Sequence, residues 1–174
     1  MAGETQWAAK MRRLRERPAP QRTLRVCDDE QVRRTAFLAE EALERARYVA
    51  KSDPDDEAVA RRVKDLEPAH VEAQRALAAC SVTLTFRALP RPVLEELITA
   101  HPPTEEQAAE GAAFNPDTFP TALVAAASVD GMSEAEAVEL YEAWPAADAN
   151  ALWETAWQAQ QVGRTDVVAD VGKG

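Results

Sequence analysis

Glycine and aromatic residues are scarce in this chain of 174 residues: there are six glycines, and Phe, Trp and Tyr together make up 6%. Sheets and barrels draw on both, for tight turns and for filled interfaces, so this poverty argues against a β-sandwich or barrel. It also argues against a glycine-rich phosphate loop. Cysteine occurs twice, at Cys27 and Cys80, and never as Cys-x-x-Cys, which gives no zinc-ligand spacing and no disulfide framework. No apolar run approaches the roughly 18 residues that a membrane span requires. The opening Met1-Ala-Gly-Glu-Thr-Gln-Trp7 lacks the apolar stretch of a secretory signal. These absences lead to the expectation of an intracellular, soluble protein with reduced thiols. What the chain does hold is alanine and charge, with 46% hydrophobic and 29% charged residues, the composition of helices.

The formal charge of −10 divides unevenly along the chain. Residues 1–25 carry seven basic groups against two acidic (+5), residues 26–80 nine against thirteen (−4), and residues 81–174 four against fifteen (−11). A basic arm thus precedes a mixed middle and an acidic half. The arm raises the possibility of phosphate contacts, but five net charges with Trp7 as its one aromatic residue make a weak nucleic-acid footprint. A loosely ordered, solvated tail is the simpler reading, and the acidic half would repel nucleic acid.

The middle carries a heptad seam. Val32, Ala36, Ala39, Leu43, Ala46 and Ala50 recur at spacings of 4, 3, 4, 3 and 4. Val59, Val63, Leu66, His70, Ala73, Leu77 and Cys80 continue the same alternation after a break at Ser52-Asp-Pro-Asp-Asp56. That break offers Ser52 or Asp53 as an N-cap, with Pro54 at the first helical position. Helices joined by so short a turn lie antiparallel. A fold about 53–54 makes opposed residue numbers sum to about 107, which sets Cys27 against Cys80 as reduced, small apolar side chains, with a disulfide open to them only under oxidation. Beyond the open end, Arg22–Val26 and Ser81–Phe86 alternate in β-branched and apolar residues. They are expected to pair as a short antiparallel ribbon, Leu24 with Leu84 and Val26 with Val82 on one face, with Phe86 as its anchor in the C-terminal half. Pro68 predicts a kink or a restart of the second helix near Glu67. His70, on the seam, reads as a register-setting polar residue ahead of a metal ligand.

From Pro90 onward the punctuation is dense. Pro90 and Pro92 open a helix carrying Val93, Leu94, Leu97 and Ile98, and His101-Pro-Pro103 closes it. Thr104-Glu-Glu-Gln107 and Ser133-Glu-Ala-Glu136 are capping boxes. Between them, Phe114–Pro120 forms a loop into Thr121–Val129, so uniformly apolar that it predicts the buried centre of this region. Pro145 precedes a last helix with Leu152, Trp153, Ala156 and Trp157, ending near Gly163. The expected architecture is mainly α: a basic arm over 1–21, a helical hairpin with flanking strands over 22–86, a compact bundle of short helices over 87–163, and a flexible tail over 164–174.

Catalytic patterns do not assemble. Glu95/Glu96 and Glu105/Glu106 are adjacent on helices and point apart, no serine sits in a nucleophile elbow, and Cys80 has no base beside it. No enzymatic activity, cofactor or metal is expected.

The order Val82-Thr-Leu-Thr-Phe-Arg-Ala-Leu-Pro-Arg91, an apolar helix, His101-Pro-Pro103, Phe114-Asn-Pro-Asp-Thr-Phe-Pro120, a second apolar helix to Asp130, a Met-Ser-Glu-Ala-Glu turn and a final Leu/Trp helix resembles the tail assembly chaperones of long-tailed bacteriophages of actinobacteria. The resemblance spans about residues 80–162. It implies a non-enzymatic factor in the host bacterial cytoplasm that coats the tape measure protein, recruits tail tube subunits and is absent from the mature virion. It also implies a longer, frameshifted form, for which Gly172-Lys173-Gly174 could be encoded by a slippery stretch.

A coat on a long apolar client needs an apolar groove and a charged exterior, and the charge of −11 in the last segment would supply self-repulsion. Three of the four tryptophans cluster late in the chain, which makes Leu140, Tyr141, Trp144, Trp153 and Trp157 the candidate client-binding residues. The competing reading is that these five are simply core. Two other functional classes stay open: a structural virion part, such as a head–tail connector or minor tail protein, and a small helical regulator using the basic arm on nucleic acid. Self-association through the seam or the ribbon edge is also open.

Overall fold

A computed structural model describes residues 5–163 of the chain. It is mainly helical, with eight helices and one two-stranded antiparallel sheet among the described residues. The chain divides into two compact units, one formed by residues 25–83 and the other by the segments on either side of it.

The central unit is the hairpin. Helix α2 (Glu30–Ser52) and helix α3 (Glu57–Cys80) pack along their length as an antiparallel pair. Asp29 starts α2, its carboxylate accepting the Val32 N–H at 3.0 Å. The seam lies where its spacing puts it at all positions but the last: Ala36, Leu43, Ala46 and Ala73 are buried, Val32, Ala39, Ala50, Val59, Val63, Leu66, His70 and Leu77 are half-buried, and Cys80 is exposed. Alanine dominates α2's side, so the backbones approach closely while little apolar area leaves water. Each buried CH₂ contributes about 0.8 kcal/mol, and Leu43 alone about 2 kcal/mol. An exposed Arg47–Glu67 ion pair at 3.3 Å bridges the helices and adds less than about 1 kcal/mol.

Two details at the turn and beyond differ from expectation. The N-cap of α3 is Asp56, not Ser52 or Asp53: its carboxylate accepts the Ala58 and Val59 N–H groups at 2.8 and 3.3 Å. Ser52 instead finishes α2, donating its hydroxyl to the Tyr48 carbonyl, and Pro54 stays in the turn ahead of α3. The aspartate nearest the helix wins because it alone reaches the second and third amides of the first turn. Helix α3 also runs through Pro68 without restarting. Pro68 is exposed, so the carbonyl that loses its partner stands on the solvent side, where water can satisfy it.

The ribbon is formed by β1 (Gln21–Val26) and β2 (Val82–Arg87). The Ala88 N–H donates to the Pro20 carbonyl at 2.8 Å, extending the register in which paired numbers sum to 108. Leu24, Val26 and Leu84 are half-buried on the apolar face, but Val82, expected there too, is 64% exposed. Phe86 is fully buried and is the anchor that the pattern predicts.

The flanking segments form the second unit, centred on helix α6 (Phe119–Ala127). Seven of its residues are buried, among them Phe119, Leu123 and Val124 with no exposed surface. An all-round apolar helix needs cover on every side. Helix α4 (Arg91–Ala100), helix α7 (Glu134–Ala143) and helix α8 (Ala146–Gln161) supply it, with α5 (Glu105–Ala109) a single turn between α4 and α6. Both capping boxes form as the sequence predicts. Between α6 and α7, Gly131 takes a left-handed φ of +85°, a conformation that costs glycine nothing.

The basic arm is not a loose tail over its described part: Gln6–Arg15 form helix α1. Thr5 caps it by accepting the Ala8 N–H at 3.2 Å, and Arg12, Arg13 and Arg15 stand at the negative end of its dipole. Alanine, lysine, methionine and arginine are all strong helix formers, so local propensity accounts for the helix. The expected tail over 164–174 lies outside the described residues.

Two outcomes follow for the second unit. Phe86→Ala is expected to destabilise it by about 3–5 kcal/mol in urea denaturation, the cost of a void where a ring is fully buried. At the α7 cap, Glu136 accepts the N–H and hydroxyl of Ser133 at 2.8 and 2.7 Å, and these bonds hold its carboxyl below the usual glutamate value. A depressed value means that the box contributes stability above the ordinary glutamate range and loses it as the pH falls through the folded value. An NMR titration should therefore find Glu136 low in the native chain and moved upward in Ser133→Ala.

Candidate client-binding surface

The five candidate residues come from α7, the turn after it, and α8. Helix α7 presents Leu140 and Tyr141. Trp144 ends it, with its backbone N–H donating to the Leu140 carbonyl at 3.0 Å. Pro145 then stops one helix and opens the next, so α8 brings Trp153 and Trp157 round on successive turns of one face.

All five are half-buried. Trp153 and Trp157 stack with ring centroids 5.4 Å apart, and both meet Phe114 and Phe119 edge-on or tilted at 5.8–6.2 Å. Phe114 and Phe119 lie 4.3 Å apart, and the His101 ring stands edge-on to Phe119 at 6.3 Å. This four-ring cluster closes the loop before α6 onto α8. Leu140 and Trp144 pack against the same buried core, whereas Tyr141 is not among the residues seated on it. The structure therefore brings Trp153 and Trp157 together and leaves Tyr141 apart. Leu140, Trp144, Trp153 and Trp157 each combine a packing role with a partly open face.

The loop that carries Phe114 is tied down by polar contacts. The Asn115 N–H donates to the His101 carbonyl at 2.8 Å, Asn115 Oδ1 accepts the Asp117 N–H at 2.9 Å, and Gln107 Nε2 donates to Asp117 Oδ2 at 3.0 Å. His101 Nδ1 lies 2.9 Å from the Thr118 hydroxyl. Its place at the end of α4 matches the helix-ending role expected of it.

Two hollows flank the aromatic cluster's unit. One, of about 360 Å³, sets Leu140 and Met132 beside Asp130, Glu136 and Glu139. The other, of about 930 Å³, is lined mainly by apolar groups such as Leu14, Leu89 and Val93, with Arg17 and Arg87 at its wall and no carboxylate. Gln160 fixes one side of it, accepting the Leu89 N–H at 2.8 Å and donating to the Arg87 carbonyl at 3.1 Å. That clamp is not legible in the sequence, because a glutamine near a helix end has no periodic signature.

The hairpin holds a second surface that sequence reasoning missed. Phe37 is 62% exposed, Leu38 52% and Tyr48 74%, with Val49 and Val71 also exposed. Phe37 and Tyr48 are eleven positions apart, three helical turns, and so share one face of α2. The available signal was the large apolar residues at non-seam heptad positions, where a lone hairpin has nothing to bury them against. Among the described residues, no group of three or more His, Cys, Asp or Glu side chains could hold a metal ion. No described helix is long and apolar enough to cross a membrane.

Comparisons with family models, with curated proteins and with solved structures gave no match.

Because Trp144 and Trp153 seat against the core, each Trp→Ala change should lower stability by about 2–3 kcal/mol. Thermal and urea unfolding measure that loss. A client-facing ring with no packing role would leave both curves unmoved.

Proposed function

We propose that this chain is a tail assembly chaperone of a long-tailed bacteriophage, binding the tape measure protein and recruiting tail tube subunits during tail assembly. The motif order over about residues 80–162 supports this reading. The observation that carries it in the fold is the exposure of large apolar side chains on a long charged hairpin, Phe37, Leu38 and Tyr48 on α2. Phe37 and Tyr48, three turns apart on one side of α2 with charged residues between them, suit an amphipathic helical client. The tryptophan-bearing surface of α7 and α8 is the second candidate for that contact.

The role is non-enzymatic and needs no cofactor. In this reading the protein works in the host bacterial cytoplasm, is accompanied by a longer frameshifted form, and leaves before the virion matures. The carboxylates of residues 81–174, at a net −11, would keep a coated filament dispersed by mutual repulsion.

Co-expression with a tape measure protein from the same phage is the test. The wild-type chain should hold that protein in the soluble fraction and co-purify with it. Phe37→Asp combined with Tyr48→Asp should cut retention at least about tenfold while the melting curve moves little, since exposed substitutions shift stability by about 0.5 kcal/mol or less. Retention unchanged in this variant would move the contact to the tryptophan surface. Recovery of the chain from purified particles at a fixed copy number would replace the chaperone reading with a head–tail connector or minor tail protein.

A further inference from the structure

Cys27 stands just before α2 and Cys80 is the last residue of α3, so the two meet at the open end of the hairpin. Their sulfur atoms are 2.7 Å apart although the residues are 53 positions apart in sequence, and both are free thiols. A disulfide bond is about 2.05 Å long, so closure asks for less than an ångström of further approach. Each sulfur is also held from behind: Cys27 Sγ lies 3.9 Å from the Asp29 carbonyl and Cys80 Sγ 3.5 Å from the Leu77 carbonyl. The two differ in access. Cys27 is buried at 8% exposure, while Cys80 is exposed and open to a small reagent.

We propose that Cys27 and Cys80 form a redox site, a dithiol that a low-molecular-weight disulfide such as oxidised glutathione converts into an intramolecular disulfide across the base of the hairpin. The Cys80 thiolate attacks one sulfur of the reagent, forming a mixed disulfide and releasing one small thiolate. The Cys27 thiolate then attacks the Cys80 sulfur, forming the protein disulfide and releasing the second. Two protein thiols lose two protons and two electrons, and the reagent takes up both pairs as two small thiols.

The geometry makes the second step fast, because the resolving sulfur is already in contact. The first step is slower. The hydrogen bond with Cys27 holds the Cys80 thiol above its ordinary value, so less of it is thiolate at neutral pH and oxidation quickens as the pH rises. These are the chain's two cysteines, so no other intramolecular pairing competes. The bond would enclose the whole hairpin, whose alanine-rich seam buries little, and a loop of that length gains much from cross-linking. This site stands independently of the chaperone reading.

The full-length chain, reduced and then incubated with oxidised glutathione, supplies the test. The expected product is a monomer with no free thiol, lighter by two hydrogens, with peptides 27 and 80 joined. Its melting temperature should rise by roughly 10 °C and fall back on adding dithiothreitol. Cys27→Ser should stop at the glutathione adduct on Cys80, and Cys80→Ser should react far more slowly. Persistence of both thiols, a lasting adduct on wild-type Cys80, a disulfide-linked dimer, or an oxidised form that melts no higher would each overturn the proposal. The wild-type measurements stand even if a variant does not fold.

Discussion

The burial of α6 is the constraint on which the second unit depends. Its sequence, Phe-Pro-Thr-Ala-Leu-Val-Ala-Ala-Ala from Phe119, has no polar stripe to give to water, so nearly all of it is covered, with Ala126 left exposed. Helices α7 and α8 take two sides, α4 a third, and the strand before α4 adds Phe86. The chain leaving α6 then runs beside β2: Val129 N–H donates to the Thr85 carbonyl at 2.8 Å, and Ser128 bridges Phe86. Asp130 completes the join by accepting the Thr85 N–H at 2.8 Å. One apolar helix thus decides where its neighbours, a strand and a turn can go. The aromatic cluster forms as the lid on its first turn, with Phe119 as the shared ring.

The hairpin rests on a different balance. Alanine in the seam lets two helices approach closely but removes little surface from water, so propensity, caps and length carry more of the load than burial does. That economy leaves large side chains elsewhere on α2 with no internal partner. Phe37 and Tyr48 are the consequence of a two-helix unit having one inward face per helix. A third helix would cover them, and the chain supplies none within the hairpin unit.

Local rules made much of this readable. The seam, the 107 register that joins Cys27 to Cys80, the 108 register of the ribbon, both capping boxes and the buried α6 all rest on periodicity or on residues within four positions of each other. The departures came where two local candidates competed or where solvent decided. Ser52, Asp53 and Asp56 could each cap a helix, and only the distance to the amides chose between them. Pro68 reads as a kink or a restart, and the helix does not restart, because the exposed position lets water take the lost hydrogen bond. Val82 fits the ribbon's alternation but stands exposed, because alternation says which face a residue is on and not whether that face is covered. The site was less legible than the fold. Tryptophan clustering located a real aromatic cluster through Trp153 and Trp157, but composition cannot separate a ring that packs from a ring that binds.

That ambiguity has a physical resolution in the proposed role. A surface that holds an apolar helix only until tube subunits replace it must bind weakly enough to let go, which favours scattered half-open rings over a deep pocket. Half-buried tryptophans anchored in a core pay little entropy on contact, because packing has already fixed their rotamers. Exposed Phe37 and Tyr48 have more freedom to lose and hold less tightly per unit area. A chaperone built this way would meet its client through Phe37 and Tyr48 on the hairpin, whose weaker hold suits release, with the tryptophan surface as a second contact, and the carboxylates of the acidic half would keep neighbouring copies on the filament from sticking to one another.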